Sequence, residues 1–132
     1  MAPLIAVIGS GKGTWNNVAS IIKLTDWDKV ILITNKFGRE NFPKRFPGIN
    51  PEFIVIDEEQ DIREIASMIS EKLKPLLSHE LDIALNIESG TGKIHTAILA
   101  ALMGLGLSFR LVGVSNDSLI EITTSPYSLT EQ

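Results

Sequence analysis

Two stretches decide the fold of this chain: residues 4–14, LIAVIGSGKGT, and residues 85–93, LNIESGTGK. Each stretch opens on apolar residues, passes through a loop of glycines, hydroxyl side chains and a lysine, and leads into a helical pattern. A short, continuous apolar run is typical of a strand buried on both faces. Both stretches therefore predict strand–loop–helix units of an α/β domain.

Further apolar runs predict the remaining strands. Most of these runs are bounded by Gly, Pro, Asn or Asp, which favour turns. The turn at Asn116 and Asp117 is too short for a crossover connection, so it predicts a closing antiparallel hairpin. After the first strand at 4–8, the predicted strands are 30–33, 53–56, 81–87, 109–114 and 119–122.

Helical periodicity fills the segments between the strands. Apolar residues recur at helical spacing over 15–22, 62–73 and 94–105. The helix that starts at residue 62 is expected to stop before Pro75, because proline lacks the N–H group that continues the hydrogen-bond ladder. The segment 36–48 is interrupted by glycine and proline and allows at most a short helix.

The alternation of strands and helices predicts the architecture. It indicates a Rossmann-like α/β fold: a mainly parallel sheet with helices on both faces and a C-terminal antiparallel β-hairpin. Residues 1–124 are expected to form one domain, and residues 125–132 a flexible tail. Ligands bind such sheets beyond the carboxyl ends of the strands, where the strand order reverses, and the first and fourth strands are expected to be neighbours there.

Composition narrows the classes of function. The chain has 132 residues, no cysteine and a net charge of −4. Its length allows one hydrophobic core, and the lack of cysteine excludes disulfides, thiolate catalysis and cysteine-bound zinc. The acidic balance argues against binding to long nucleic acid. With no apolar run long enough for a bilayer and no signal peptide, we expect no membrane contact and a cytoplasmic location.

The two loops suit a phosphate-bearing ligand. Glycines let backbone N–H groups approach an anion, and a following helix N-terminus adds free donors and a favourable dipole. The second loop is not a Walker A motif, because Ile87 stands where the first glycine belongs and Ile94 follows Lys93. The dinucleotide fingerprint starts at Gly9 but has Thr14 in place of its third glycine. ATP hydrolysis and hydride transfer are therefore not predicted.

From the fourth strand to the fifth, the chain resembles the CARF family, the CRISPR-associated Rossmann fold. The resemblance rests on residues 85–93, on the apolar helix after them and on residues 106–112, GLSFRLV. The loop after the first strand and the closing hairpin also match. Where the family has a Thr/Ser-Gly-Gly-Thr-Lys-like loop, this chain has SGTGK at 89–93, with the second glycine and the threonine exchanged.

The resemblance implies a homodimer that binds a cyclic oligoadenylate messenger, with cyclic tetra-adenylate as the expected ring and no cofactor or metal. Stand-alone ring nucleases of the family switch off a type III CRISPR antiviral response by metal-independent attack of a ribose 2′-OH on the adjacent phosphate. By this resemblance, Ser10 orients the reacting groups and Lys93 stabilises the phosphorane. The other candidate ligand-binding residues are Gly9, Gly11, Lys12, Thr14, Asn16, Glu88, Ser89, Gly90, Thr91 and Gly92.

Alternatives remain open for the function and for several residues. The domain is an enzyme, a non-cleaving sensor of the messenger, or an unrelated Rossmann-like nucleotide-binding domain. His95 is either a general base or a residue without a catalytic role. Trp15 and Trp27 are more typical of the core than of base stacking. The acidic run at 57–59 is more typical of a helix start than of a metal site.

Overall fold

The computed structural model describes residues 2–123, in which strands and helices alternate along the chain. A 3₁₀ turn at Lys12–Thr14 leads into the first helix. The predicted tail at 125–132 lies outside the described residues. The strands are β1 (Leu4–Ile8), β2 (Val30–Thr34), β3 (Glu52–Val55), β4 (Ile83–Asn86), β5 (Phe109–Ser115) and β6 (Ser118–Glu121). The helices are α1 (Trp15–Leu24), α2 (Lys36–Asn41), α3 (Ile62–Leu76) and α4 (Gly92–Gly104).

The strands form one sheet in the order β3-β2-β1-β4-β5-β6. All neighbouring pairs are parallel except β5 and β6, which are antiparallel. Asn116 and Asp117 both have positive φ, 52° and 61°, as the central residues of a two-residue type I′ hairpin do. The predicted Rossmann-like fold with its closing hairpin is therefore confirmed.

The strand order reverses at β1. Its neighbours are β2 on one side and β4 on the other, and Ala6 lies opposite Asn86. The loops that follow β1 and β4 therefore leave the sheet side by side. This is the switch point at which open α/β sheets bind ligands.

Hydrophobic residues on both faces of the sheet bury the central strands. In β1, Ile5 and Val7 face the side covered by α3 and α4, while Leu4, Ala6 and Ile8 face α1. This alternation follows from the two-residue side-chain period of a strand. Because both faces are covered, β1 and β2 are apolar almost without interruption, and every one of their residues is buried.

Helix α3 does not stop before Pro75, so that prediction was wrong. The helix continues to Leu76 with Pro75 in its last turn. Two contacts hold this end: the N–H of Leu77 donates to the carbonyl of Leu73, and the Lys29 ammonium donates to the carbonyl of Leu76 at 2.5 Å. Pro75 removes one donor only, and the carbonyl that would receive it belongs to the exposed Glu71.

Of the helices within residues 2–123, none combines the length and the apolar character that a bilayer span requires. The longest, α3, places charged residues along its exposed side.

Candidate functional site

The loops after β1 and β4 touch each other through their backbones. The N–H of Gly9 donates to Oγ of the buried Ser89 at 2.8 Å. A Cβ added to Gly9 would lie 2.7 Å from the Gly90 nitrogen and 2.8 Å from its Cα. No side chain fits between the loops at this point, so the two predicted loops form one continuous surface.

Gly90 is fixed in a conformation that favours glycine. Its φ is +94°, and a Cβ there would lie 2.7 Å from Cγ1 of Val7. The preceding carbonyl, of Ser89, lies 2.7 Å from Nε2 of His95. Because a carbonyl only accepts, Nε2 is the donor in this hydrogen bond. His95 therefore holds the loop in place.

An open cleft of about 390 Å³ lies above this contact. Its volume is within the range of small-molecule pockets. The cleft also faces the N-terminus of α4, whose first N–H groups lack partners within the helix. Thr91 caps this helix, with its hydroxyl accepting from the N–H of Ile94 at 3.4 Å. The lining residues are Gly9, Ser10, Gly11, Gly13, Thr14, Glu58, Glu88, Ser89, Gly90 and Thr91.

One wall of the cleft is a hydrogen-bonded bridge that the sequence did not reveal. Nδ2 of Asn35 donates to Oγ of Ser10 at 2.7 Å and to Oε2 of Glu58 at 3.2 Å. Oδ1 of Asn35 accepts from the N–H of Gly38 at the start of α2, which fixes the orientation of the amide. The Lys93 ammonium donates to the backbone carbonyl of Glu58 at 2.7 Å. Both implied catalytic residues are thus tied to this wall.

A second polar cluster holds Glu88. Nδ2 of Asn86 donates to Oε1 of Glu88 at 2.8 Å and to the carbonyl of Val112 at 2.9 Å. Asn17, on α1, lies 3.5 Å from the other carboxylate oxygen. Asn86 is buried, and its Oδ1 has no hydrogen-bond partner. The Glu88 carboxylate is therefore oriented mainly by Asn86, the last residue of β4.

The lysine of the first loop points away from the cleft lining. The Lys12 ammonium lies 5.8 Å from the centroid of the Trp15 ring and 5.6 Å from that of Phe37. Trp15 is buried and donates from Nε1 to the carbonyl of Gly9 at 2.9 Å. Trp27 is also buried, so both tryptophans belong to the core.

The structure divides the predicted site residues into two groups. Eight line the cleft: Gly9, Ser10, Gly11, Thr14, Glu88, Ser89, Gly90 and Thr91. Lys12, Asn16, Gly92 and Lys93 are exposed and do not line it. On α1 it is Asn17, rather than Asn16, that reaches a cleft residue. Asn35 and Glu58 were missed because neither follows the pattern of a glycine-rich loop.

The acidic run at 57–59 does not gather metal ligands. Asp57 accepts from the N–H of Glu59, and Glu58 turns toward the cleft. Among the described residues there is no group of three His, Asp or Glu side chains that could hold a metal ion. The sequence interpretation placed these acids at a helix start, but α3 begins only at Ile62 with Asp61 as its N-cap. Asp57 lies in the turn before the helix, and Glu58 lines the cleft.

The charged group with the clearest pKa shift lies outside the cleft. Hydrogen bonds to Asp82 and then to Glu121 raise the pKa of Arg110, at the start of β5. The Arg110 guanidinium is 2.7 Å from Asp82 and 2.9 Å from Glu121. These exposed ion pairs connect β6 to the segment before β4, and they contribute little to the site.

Comparison with known proteins adds a likeness in fold. No protein-family model and no curated protein sequence matches the chain. Among solved structures, the chain is similar to Enterococcus italicus Csm6 bound to cyclic hexa-2′-fluoro-hexa-dAMP, with a TM-score of 0.65 and 15% sequence identity. The match covers 99% of this chain and 44% of the Csm6 chain. The likeness supports the Rossmann-like α/β fold that the sequence predicts.

Proposed function

We propose that this chain binds a cyclic oligoadenylate and cleaves it. The ring that we expect is cyclic tetra-adenylate. The observation that carries the proposal is the contact between the loops after β1 and β4, where Gly9 meets Ser89 and Gly90. It produces one glycine-lined cleft at the switch point of the sheet. The likeness to Csm6, which was solved with a cyclic hexanucleotide analogue, supports the same class of ligand.

The groups around the cleft suit a ribose phosphate. Backbone N–H groups of the two loops and of the α4 N-terminus favour an anion. The carboxylates of Glu58 and Glu88 would repel one, so the phosphate belongs on the glycine side of the cleft. Carboxylates accept hydrogen bonds only, and here they suit a ribose hydroxyl or a base amino group.

The proposed reaction needs no metal. The 2′-hydroxyl gives up its proton to solvent as its oxygen attacks the adjacent phosphorus, the bond from phosphorus to the 5′-oxygen breaks, and the 5′-oxygen takes up a proton from solvent. The product is a linear oligoadenylate with a 2′,3′-cyclic phosphate at one end and a 5′-hydroxyl at the other. Ser10 would orient the 2′-OH or the phosphate, and the Lys93 ammonium would stabilise the charge of the phosphorane.

A homodimer is part of the proposal, since a ring with two-fold symmetry suits a two-fold interface. Helix α4 is largely apolar, which suits either that interface or burial against the sheet. Its apolar residues Ile94, Ala97, Ile98 and Leu102 are buried within the protomer. Among the large hydrophobic side chains of α4, Met103 is exposed, at 69%.

One observation favours a non-cleaving sensor as a second candidate. Ser10 accepts from Asn35, and Lys93 donates to the carbonyl of Glu58, at 2.7 Å in each case. Both groups must leave these partners, or share them, to act on a ligand. A site that keeps them tied would bind the ring without turning it over.

The test is to incubate the protein with cyclic tetra-adenylate, and separately with cyclic hexa-adenylate, in EDTA and to resolve the products by chromatography. We expect linear products that end in a 2′,3′-cyclic phosphate. Lys93→Ala should slow cleavage by about 100-fold or more, the usual loss when a charge-stabilising donor is removed. Lys72→Ala, which removes an exposed lysine from the second half of α3, is the matched control.

Calorimetry on the same proteins separates the candidates. Cleavage that is lost in Lys93→Ala, with one ring bound per two chains, supports the dimeric nuclease. Binding without cleavage would replace the nuclease by the sensor. Absence of binding to either ring at micromolar concentration would overturn both and leave a nucleotide-binding domain of another kind.

A further inference from the structure

A second cleft adjoins the first at the carboxyl ends of β2 and β3. Its volume is about 520 Å³. Two large apolar side chains lie in it with much of their surface open to solvent: Phe37 is 43% exposed and Val55 is 44% exposed. Around them stand the carboxylates of Asp57, Glu58 and Glu59. An aromatic face surrounded by acceptors is a combination that the sequence did not indicate.

The two clefts are adjacent. Glu58 lines both of them, and the Asn35 amide that bridges Ser10 and Glu58 stands on the boundary. Only this bridge separates the glycine-lined cleft from the apolar surface of Phe37 and Val55. A nucleotide whose phosphate lies in the first cleft has its base within reach of the second.

The chemistry of the second cleft fits a base with an exocyclic amino group. Aromatic and apolar side chains bind the face of a base by stacking. Oε1 of Glu58 accepts no hydrogen bond among the described residues, and the amino group of adenine is a donor. The 4-carbonyl of uracil, in the corresponding position, is an acceptor that these carboxylates would repel. The Lys12 ammonium beside the Phe37 ring adds a cation at the edge of the same surface.

We propose that the cleft of Phe37 and Val55 is a base subsite, selective for adenine over uracil, next to the phosphate cleft. This proposal rests on the proposed function, because it assigns a place to one base of the same ring. Phe37 supplies the stacking surface and Glu58 accepts from the amino group. Asn35 forms the wall between base and phosphate.

The test is a titration of cyclic tetra-adenylate and cyclic tetra-uridylate into wild-type protein and variants. Phe37→Ala should weaken binding of cyclic tetra-adenylate by about tenfold or more, the scale of losing one stacked base. Phe37→Trp should keep binding within about threefold, because it keeps an aromatic face. Leu81→Ala is the matched control, since it removes an apolar side chain that is 89% exposed before β4.

Val55→Thr and Glu58→Gln give tests that leave the aromatic packing intact. Thermal unfolding of each variant shows that it is folded before it is titrated. Val55→Thr exchanges a methyl group for a hydroxyl and should weaken binding of cyclic tetra-adenylate about threefold, less than Phe37→Ala does. Glu58→Gln should lower the preference for adenine over uracil by about fivefold or more, because an amide offers the uracil carbonyl a donor.

The outcomes separate the subsite from the proposed function. If wild type binds cyclic tetra-adenylate and Phe37→Ala binds it equally well, the subsite is wrong and the proposed function stands. Equal affinity of wild type for the adenylate and uridylate rings would also overturn the subsite. If wild type binds neither ring, the proposed function fails and the subsite fails with it.

Discussion

The floor and the rim of the glycine-lined cleft are both rich in glycine, yet the two regions need glycine for different reasons. At the floor, a Cβ on Gly9 or Gly90 would lie 2.7 Å from a neighbouring atom. At the rim, a Cβ on Gly11 or Gly13 would meet nothing within 4 Å, and the same holds for Gly92 beside the rim, at the start of α4. The floor is a packed contact between two loops, whereas the rim is open surface.

The hydroxyl groups follow the same division. Ser89 is buried and accepts from the N–H of Gly9, so its oxygen serves the fold. Ser10 is exposed, and its oxygen faces the cleft wall at Asn35. Identical residue types next to each other in space thus carry different roles. The comparison separates side chains that are packed beneath the cleft from those that are exposed on its surface.

The largest expected contrast in the free energy of unfolding is between alanine substitutions of a glycine at the floor of the cleft and of one beside its rim. Gly90→Ala combines an unfavourable positive φ with a clash against Val7, so it should lower the free energy of unfolding by about 2–4 kcal/mol. Gly92→Ala, two residues later at the start of α4, should raise it by at most about 1 kcal/mol. Urea denaturation monitored by circular dichroism measures both. Equal stability of the two variants would show that the loops do not make a tight contact at the floor of the cleft.

A smaller contrast is expected between the two serines. Ser89→Ala leaves the buried N–H of Gly9 without its acceptor and should cost about 1–3 kcal/mol of unfolding free energy. Ser10→Ala removes an exposed hydroxyl and should change that free energy by less than about 0.5 kcal/mol. Thermal unfolding of both variants checks this pair. Cleavage of cyclic tetra-adenylate should show the reverse order per unit of folded protein, with the greater loss in Ser10→Ala.

The last contrast compares Asn86 and Asn17, the two side chains that contact Glu88. Asn86→Leu removes the buried Oδ1 that has no partner, but it also leaves the carbonyl of Val112 without its donor, so the free energy of unfolding should fall by about 1–2 kcal/mol. Glu88 loses the donor that orients it, and affinity for cyclic tetra-adenylate should fall by about three- to tenfold. Calorimetry measures the affinity. Asn17→Ala, which removes a longer contact to the same carboxylate, should have the smaller effect.

The fold was predictable because its signals are local. The apolar run at 4–8 marks β1, and the helical spacing over 15–22 marks α1, without knowledge of any distant residue. The two-residue turn at Asn116 and Asp117 likewise gives the hairpin. The end of α3 was not predictable in this way. Its last turn past Pro75 depends on Lys29, which is close in space and remote along the chain.

The site was only partly predictable, because its contacts are not local. The glycines of both loops were identified by composition, yet nothing in the sequence shows which of them touch. Asn35 follows β2 and resembles an ordinary helix cap, a role that it does fill. Glu58 stands in a run of acids before a helix. Its place in the cleft depends on how the loop after β3 lies against the loop after β1.

The contact between Gly9 and Gly90 couples two positions that are remote along the chain. Gly9 and Ser89 are 80 residues apart in the chain, but the loops meet with no space for a side chain. A substitution on either side requires the opposite loop to move, which would also displace Ser10 or Lys93. A side chain can therefore be added at Gly11 or Gly13 on the rim without a clash, whereas the glycine pair beneath the cleft is fixed by packing.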